Sequence, residues 1–523
     1  MNAEAVVTKT AFAQAPEFQH VPALFDRTVH AFAWRVIAEW SRFALQLAVM
    51  IVLARLLPVE SFGLLTIAMI FINFALKAQL GVASAIVQAN EITRTYVRVA
   101  FSLSVLSGSI LTILIWSGAP MAAAFFSADA ITGLLRLMSI SFLFSSFGAV
   151  AEALLERKLD YRRLLRVELL SYGIGYCLVG ISLALFDYGV WALAWASVSY
   201  ALLKTSLLIS ASPHTCWPSF ARSECSKLLN FGTGTTLSRL ANFAAANSDY
   251  FVVGRWLGAT ALGLYSRAFQ LMSLPMYEFS SVMSCVLFPA YARIQNDTDR
   301  LRRAYLGAIC LSFLVIVPAL TMLAITAPDL IAVCFGPAWI GAALPLQILC
   351  IGGVFQCMYN LGDSLARAKG AVYWKLWCHT IYAVCVFVAS FIGRRWGITG
   401  VAAGVVIAMS VIYLLMARLS LYLTRASWTE FFLSQLPGSI VAAIVAVVAI
   451  PTAVILRSTR LPHFLILAVT LILSLASAFT SGVLLPRVWL DKVSHGATEK
   501  AKRWWHQIPI SGRPFPKSFF TTT

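Results

Sequence analysis

Long apolar stretches recur along the whole chain and are separated by short polar connections. Residues 304–327 and 463–485, for example, contain no Asp, Glu, Lys or Arg. A helix needs roughly 20 consecutive apolar residues to cross a bilayer. The pattern therefore predicts an all-α integral membrane protein with about fourteen transmembrane helices. The predicted spans are residues 31–57, 62–87, 97–117, 133–155, 166–186, 189–209, 229–252, 262–290, 304–327, 339–366, 374–393, 398–422, 435–456 and 463–485.

The composition leaves no room for a large water-soluble domain. Of the 523 residues, 60% are hydrophobic and only 12% are charged, whereas soluble domains carry about 25% charged residues. Glu4 and Glu17 lie in an N-terminus without a basic run before a short apolar core, so no cleaved signal peptide is expected. His214, Cys216 and Cys225 match no zinc-binding spacing, so no metal cofactor is expected. No disulfide framework is expected either.

Basic residues are concentrated in alternate connections between the predicted spans, and they give the chain a net charge of +18. Cytoplasmic connections of membrane proteins are enriched in Lys and Arg. We therefore expect the even-numbered connections and both termini to be cytoplasmic, in a bacterial inner membrane. The basic residues after the fourth and eighth spans are Arg157, Lys158, Arg162, Arg163, Arg166, Arg293, Arg300, Arg302 and Arg303, and the exceptions to the rule are Arg394, Arg395, Arg457 and Arg460.

A weak internal repeat recurs at an interval of about 200–210 residues. Each repeat holds six spans, an even number, so both halves insert in the same sense. This predicts two parallel six-helix lobes related by a pseudo-two-fold axis along the membrane normal, followed by two extra C-terminal helices. The matched landmarks are 54–64 with 254–264, Gln88 and Arg94 with Gln295 and Arg300, Leu155 and Arg157 with Leu365 and Arg367, and Gly189 with Gly397.

The repeat defines the predicted domain boundaries. A cytoplasmic tail (1–30) precedes the N-lobe (31–209), a cytoplasmic linker (210–228), the C-lobe (229–422), the two extra helices (435–485) and a basic cytoplasmic tail (486–523). Trp504 and Trp505 interleave with the basic residues of that last tail. The tail is therefore either a surface helix on anionic lipid or a solvated segment that obeys the positive-inside rule.

Ionisable residues inside the predicted spans are the candidates for function. Such a residue costs about 2.5–3.5 kcal/mol at the bilayer centre, so it needs a partner or a water-filled cavity. The polar positions fall on single helical faces, and in the repeat the first span corresponds to the seventh. These positions are Arg35, Glu39, Arg42 and Gln46 in the first span, Lys77 in the second, Thr235, Arg239, Asn242 and Asp249 in the seventh, and Arg267, Gln270, Tyr277 and Glu278 in the eighth.

Two interpretations of these charges remain open. In the first, they line a cationic cavity for an anionic head group, since the planar Arg side chain pairs with two phosphate oxygens at once. In the second, they pair with one another inside the membrane. The predicted substrate-binding residues are Arg42, Arg239, Arg35, Arg267, Lys77 and Asn242. The predicted ion-coupling residues are Glu278, Glu39 and Asp249, because desolvation favours the neutral form of a carboxyl group and lets it exchange a proton.

Several landmarks together resemble one family of membrane proteins. They are the stretches 53–58, 62–64, 81–88, 155–161, 189–193, 249–258 and 263–265, with Phe288, Pro289, Arg293 and Gln295. In combination they are similar to the polysaccharide flippases of the Wzx/PST branch of the MOP superfamily, over roughly residues 30–425. The resemblance implies translocation of undecaprenyl-diphosphate-linked oligosaccharide repeat units from the cytoplasmic to the periplasmic leaflet, for exopolysaccharide, O-antigen or capsule assembly.

The resemblance also implies a coupling ion, H⁺ or Na⁺, in place of a bound cofactor. The expected partners are the lipid-linked oligosaccharide, membrane lipids, and the polysaccharide polymerase and export machinery, without nucleic acid. A multidrug or small-cation exporter of the same superfamily is the closer rival, and it would be expected to carry acids in its cavity. A membrane polymerase or ligase is less favoured, because the sequence has no paired outward carboxylates and no phosphate-binding Gly-rich loop.

Overall fold

A computed structural model describes residues 40–493, apart from 43, 79–84, 88, 90–91, 214–216, 218, 222–224, 226–242, 244–246 and 460. The side chains of 277, 278, 281, 282, 285, 372 and 483–493 also lie outside the description. The predicted tails 1–30 and 486–523 therefore fall almost wholly outside the described residues. So do His214 and Cys216.

Within the described residues every regular element is helical, as the apolar pattern predicts. Each helix overlaps one predicted span, and the helices are numbered accordingly. Their bounds are α1 44–56, α2 Val59–Ala78, α3 Arg94–Phe126, α4 Ala130–Arg157, α5 Tyr161–Leu185, α6 Val190–Ala211, α7 Ser248–Trp256, α8 Gly258–Arg293, α9 Thr298–Cys334, α10 Ala343–Ala368, α11 Val372–Gly393, α12 Gly397–Thr424, α13 Trp428–Ser458 and α14 His463–Val493.

Ten segments of the described chain are long and apolar enough to cross a membrane. One of them, Tyr373–Thr424, contains both α11 and α12, which are joined by a single 3₁₀ turn at Arg394–Trp396. The part of the chain that the structure describes is thus that of a helical membrane protein. The total of fourteen spans stays a prediction, because α1 and α7 begin beside residues outside the description.

Side-chain caps mark where several helices leave the apolar layer. The hydroxyl of Thr93 accepts from the Tyr96 amide (3.1 Å) at the start of α3, and the Asp297 carboxylate accepts from the Arg300 amide (3.0 Å) at the start of α9. Ser427 and Glu430 form a reciprocal capping box at the start of α13. Such caps satisfy backbone amides that have no partner within the helix, so they define helix starts that hydropathy alone leaves uncertain.

The described residues divide into two compact units, one up to Phe243 and one from Ala244 onward. In unit 1, the connections next to even-numbered helices contact one another. The Arg157 guanidinium, at the end of α4, donates to the carbonyls of Ile86 (3.0 Å) and Val87 (3.4 Å), beyond α2. Arg98, near the start of α3, donates to the Trp217 carbonyl (3.1 Å) in the segment after α6. The second, fourth and sixth connections therefore share one end of this unit.

Unit 2 follows the same alternation. Lys369, after α10, donates to the Gln295 carbonyl (2.6 Å), after α8, so two even connections meet. The Arg394 guanidinium, after α11, lies 4.9 Å from the Trp256 ring centroid, at the end of α7, so two odd connections meet. In both units the connections thus contact as expected for helices that cross a layer in alternate directions.

The two extra helices are fastened to unit 2 by charge. At one end, Arg302 of α9 pairs with Glu430 of α13. At the other, Asp329 of α9 pairs with Arg457 of α13 (2.6 Å) and with His463 of α14 (2.9 Å). The same offset of 128 residues separates the partners at both ends, so α9 and α13 run parallel.

The spacing of these two ion pairs matches the thickness of a membrane. They lie 27 residues apart along α9, which corresponds to about 40 Å at 1.5 Å per residue. A bilayer with its head-group regions is about 40–45 Å thick. Between the pairs, the Cα of Gly438 lies so close to the Phe313 carbonyl that a Cβ there would be only 2.5 Å from its oxygen. Small residues allow this close packing where lipid supplies no hydrophobic drive.

We expect the Asp329 cluster to stabilise unit 2 strongly. The Asp329 side chain is only 2% exposed, so Arg457→Leu leaves a buried carboxylate with His463 as its remaining partner. Losing one member of a buried pair costs about 3–5 kcal/mol, and the melting temperature of purified protein should fall by several degrees.

The matched control is Arg300→Leu, since the Arg300–Asp297 pair is exposed on the same helix and is expected to contribute less than about 1 kcal/mol. The double variant Asp329→Asn/Arg457→Leu should recover part of the loss, because no buried charge is left alone. Equal melting temperatures for Arg457→Leu and Arg300→Leu would contradict this role.

Candidate substrate-binding cavities

Unit 1 contains a cavity of about 500 Å³ at the end where its even-numbered connections meet. We call it the charged cavity. Its walls come from α4, α5 and α6, together with Arg42 in the helical residues before α1. Its lining residues are Arg42, Val87, Glu152, Glu156, Arg157, Leu159, Tyr161, Leu164, Leu165, Val167, Glu168, Lys204 and Leu208.

Lys204 joins the three walls of the charged cavity. Its ammonium lies 3.0 Å from the Glu152 carboxylate on α4 and 3.4 Å from the Glu168 carboxylate on α5. The Tyr200 hydroxyl, one turn before Lys204 on α6, donates to Glu168 (2.8 Å). One cation thus pairs with carboxylates from two different helices, and each charge has an opposite charge nearby, as a low-dielectric environment favours.

The arginine at the end of α4 has a structural role in this cavity. Besides Ile86 and Val87, the Arg157 guanidinium donates to the carbonyl of Ala89. Carbonyls at a helix end lack intrahelical partners, and a basic side chain satisfies them well. Unit 2 uses the same device in Lys369 and Gln295. The sequence repeat pairs Gln88 with Gln295, so both units fasten the ends of their corresponding helices in the same way.

Arg42 lines the charged cavity. The prediction was of a cationic lining, however, and the described lining carries three acids, Glu152, Glu156 and Glu168, beside its three basic residues. Glu152, Glu168 and Lys204 were absent from the predicted site. Each is an ionisable residue within a predicted span, so the signal that selected Arg42 selects them as well.

Unit 2 contains a second cavity, of about 480 Å³, with a different lining. We call it the neutral cavity. Polar residues recur at helical spacing along facing sides of α8 and α10. Asn360 donates to the Ser280 hydroxyl (3.3 Å) across the two helices. The lining residues are Ser273, Met276, Ser280, Ser284, Gln356, Tyr359 and Asn360.

A second charged cluster joins α10 to α11, beyond the neutral cavity. Asp363 is surrounded by Arg367 (3.2 Å), Lys375 (2.8 Å) and His379 (3.4 Å). In the sequence repeat, Arg367 corresponds to Arg157. Both units therefore carry ion-paired charges near the end of the corresponding helix, at the side of their even-numbered connections.

Of the remaining predicted site residues that the structure describes, two form hydrogen bonds and one lies at the end of a helix. Asp249 is buried on α7 and accepts from the Tyr265 hydroxyl (2.8 Å) and the Tyr250 amide (2.9 Å). Arg267 donates to Gln270 on the same helix, and Lys77 is exposed in the last turn of α2. Arg35, Glu39, Arg239, Asn242 and the Glu278 side chain lie outside the described residues.

The described residues contain no group of His, Cys, Asp and Glu that would hold a metal ion.

The family model described as "Polysaccharide biosynthesis protein" matches residues 52–344, more than half of the chain. The chain belongs to this polysaccharide biosynthesis protein family. The match includes the whole charged cavity except Arg42, and α8 of the neutral cavity.

Curated relatives extend this membership. The chain is 26% identical to the teichuronic acid biosynthesis protein TuaB of Bacillus subtilis, over 71% of this chain and 77% of TuaB. It is 25% identical to the lipopolysaccharide biosynthesis protein WzxC of Escherichia coli, over 73% and 78%. It is 27% identical to the succinoglycan biosynthesis transport protein ExoT of Rhizobium meliloti, over 66% and 70%.

Solved structures identify the fold. The lipid II flippase MurJ, in an inward closed conformation, matches with a TM-score of 0.67 at 14% identity, over 88% of this chain and 99% of MurJ. An inward-facing multidrug resistance MATE transporter of the MOP superfamily matches with a TM-score of 0.58 at 19% identity, over 74% and 96%. This family member therefore has the fold of MOP superfamily transporters, as the sequence resemblance implied.

The pairing at Lys204 predicts a graded response to substitution. Lys204→Met leaves Glu152 and Glu168 without their shared cation, so we expect a lower melting temperature, whereas Lys204→Arg keeps the charge and should lie near wild type. Arg163→Met is the control, because the exposed Arg163–Asp160 pair contributes little. A Lys204→Met protein as stable as Arg163→Met would contradict the ion-paired structure of the charged cavity.

Proposed function

We propose that this protein flips undecaprenyl-diphosphate-linked oligosaccharide repeat units from the cytoplasmic to the periplasmic leaflet. The observation that carries the proposal is the charged cavity in a member of a polysaccharide biosynthesis family with a flippase-like fold. On this proposal, the protein is a transporter and not an enzyme. It has fourteen spans in two six-helix lobes plus two C-terminal helices, with both termini cytoplasmic.

Exchange of ion-pair partners explains how the charged cavity accepts a diphosphate. Arg42 offers planar donors to two phosphate oxygens, and Lys204 offers a compact ammonium that already serves two carboxylates. A diphosphate entering from the side of the even-numbered connections competes with Glu152 and Glu168 for Lys204. Arg239, outside the described residues, is the second predicted head-group ligand.

The same exchange of ion-pair partners provides a site at which a coupling ion binds. Once Lys204 pairs with phosphate, Glu152 and Glu168 need new counter-charges in a poorly hydrated environment. A proton or Na⁺ supplies that charge, so we add these two acids to the coupling residues predicted from the sequence, namely Glu278, Glu39 and Asp249. The expected ion gradient would then favour one direction of transport.

The acidic side chains of the charged cavity favour one alternative function, the export of small cations. An exporter of small cations is expected to present acids to its substrate, and Glu152, Glu156 and Glu168 line the charged cavity. The MATE transporters share the fold. Against this, the lining carries as many basic residues as acids and Lys204 pairs with two of the acids, and the curated relatives are named for polysaccharide biosynthesis. A polymerase or ligase has no comparable support.

Complementation tests the proposal directly. In flippase-deficient, polysaccharide-producing hosts with different repeat units, wild type should restore surface polymer in at least one. There Arg42→Ala and Arg239→Ala should each lower it about tenfold or more at equal protein level, since each removes a charge-assisted contact worth about 1.5–3 kcal/mol. The lipid-linked repeat unit should accumulate in the mutants.

Arg300→Ala is the matched control, because Arg300 is exposed and pairs with Asp297. Full polymer in the Arg42→Ala and Arg239→Ala strains would refute the proposed head-group site. Failure to restore polymer in every host, together with resistance to cationic dyes, would establish the exporter instead.

A further inference from the structure

The neutral cavity differs from the charged cavity in a way that points to a different ligand. Six of its seven described lining residues carry neutral hydroxyl, amide or phenol groups, and none carries a formal charge. An anion entering it would lose hydration without meeting a lining counter-charge, which is costly. A hydroxyl-rich neutral group would exchange its hydrogen bonds to water for hydrogen bonds to protein, at little net cost.

The lining also has hydrogen-bonding capacity to spare. Gln356 Oε1 is buried and accepts no well-formed hydrogen bond in the described chain, although the Tyr359 hydroxyl interacts with this side chain. A buried acceptor without a donor is destabilising. A ligand hydroxyl at this position would remove that cost.

The existing bonds across the cavity are weak enough to be replaced. Asn360 Nδ2 lies 3.3 Å from Ser280 Oγ, and Ser364 Oγ lies 3.4 Å from Ser284 Oγ. Both distances exceed the usual 2.7–3.2 Å range of protein hydrogen bonds. The volume, about 480 Å³, falls in the range of small-molecule sites, about 300–1,000 Å³. The cavity therefore suits one or two sugar residues.

We propose that the neutral cavity between α8 and α10 is a glycan subsite that binds uncharged sugar residues of the transported repeat unit, with Gln356 and Asn360 as its specificity-determining residues. This inference rests on the proposed function and names the sugar class that unit 2 selects. A uronate or another acidic sugar is disfavoured at this subsite, because its carboxylate would be desolvated without a partner.

Two soluble disaccharides test the subsite of unit 2 by itself, because neither carries a diphosphate. One is neutral, and the other ends in glucuronic acid. Binding to the full-length protein in nanodiscs is measured by intrinsic tryptophan fluorescence. For wild type we expect the neutral disaccharide to bind about tenfold more tightly than the glucuronate disaccharide, as one or two good hydrogen bonds provide.

Variants then assign the preference for the neutral disaccharide to residues. Gln356→Leu and Asn360→Leu should each lose most of that preference by weakening binding of the neutral disaccharide. Gln347→Leu is the matched control on α10 and should bind as wild type does, since Gln347 bonds the Ala324 carbonyl and is not among the described lining residues. Melting temperatures exclude misfolded variants.

The outcomes distinguish the two proposals. A preference for the neutral disaccharide that persists in both α10 variants, equal binding of the two disaccharides, or no binding of either by wild type overturns the glycan subsite. A preference that is lost in Gln356→Leu and Asn360→Leu supports it. Because neither disaccharide carries a diphosphate, these results do not depend on the head-group site, which the complementation with Arg42→Ala tests separately.

Discussion

The scarcity of water inside a bilayer is the constraint on which the rest of this structure depends. An ionised side chain there must meet an opposite charge or reach water. Lys204 meets Glu152 and Glu168, and Asp329 meets Arg457 and His463. The Asp329 contacts join α9 to helices more than 100 residues further along the chain, whereas the Lys204 contacts join α6 to the two helices before it. Charge pairing therefore does more than remove a penalty, because it selects which helices are neighbours and in what register they pack.

The same constraint explains arginines that break the positive-inside rule. Arg457 stands on the predicted periplasmic side, where basic residues are depleted, but Asp329 neutralises it. Arg394 stands on that side too, and its guanidinium lies over the rings of Phe391 and Trp256. Local partners thus account for two of the four exceptions, and the predicted orientation stays a prediction.

The helices were predictable from sequence because a twenty-residue apolar run is a strong local signal. The sites were only partly predictable. Arg42 could be found as a charge among apolar residues, and Lys204 was missed although it gives the same signal. The neutral cavity gives no such signal. Ser280, Gln356 and Asn360 are tolerated singly in a membrane helix, and only the packing of α8 against α10 brings them together. A periodic polar face on one helix does not identify the face opposite it.

On the proposed function, pairing inside the charged cavity also limits how tightly a diphosphate can bind. A lining of unpaired cations would hold a diphosphate strongly, since each charge-assisted bond in a dry site is worth about twice a neutral one, and release would be slow. With Lys204 already paired to two carboxylates, the net gain on binding is the difference between two sets of ion pairs. Such a difference is small and reversible, which a transporter requires because it must release on one side what it captures on the other. The acids that make the cavity less cationic than expected are therefore compatible with anion transport.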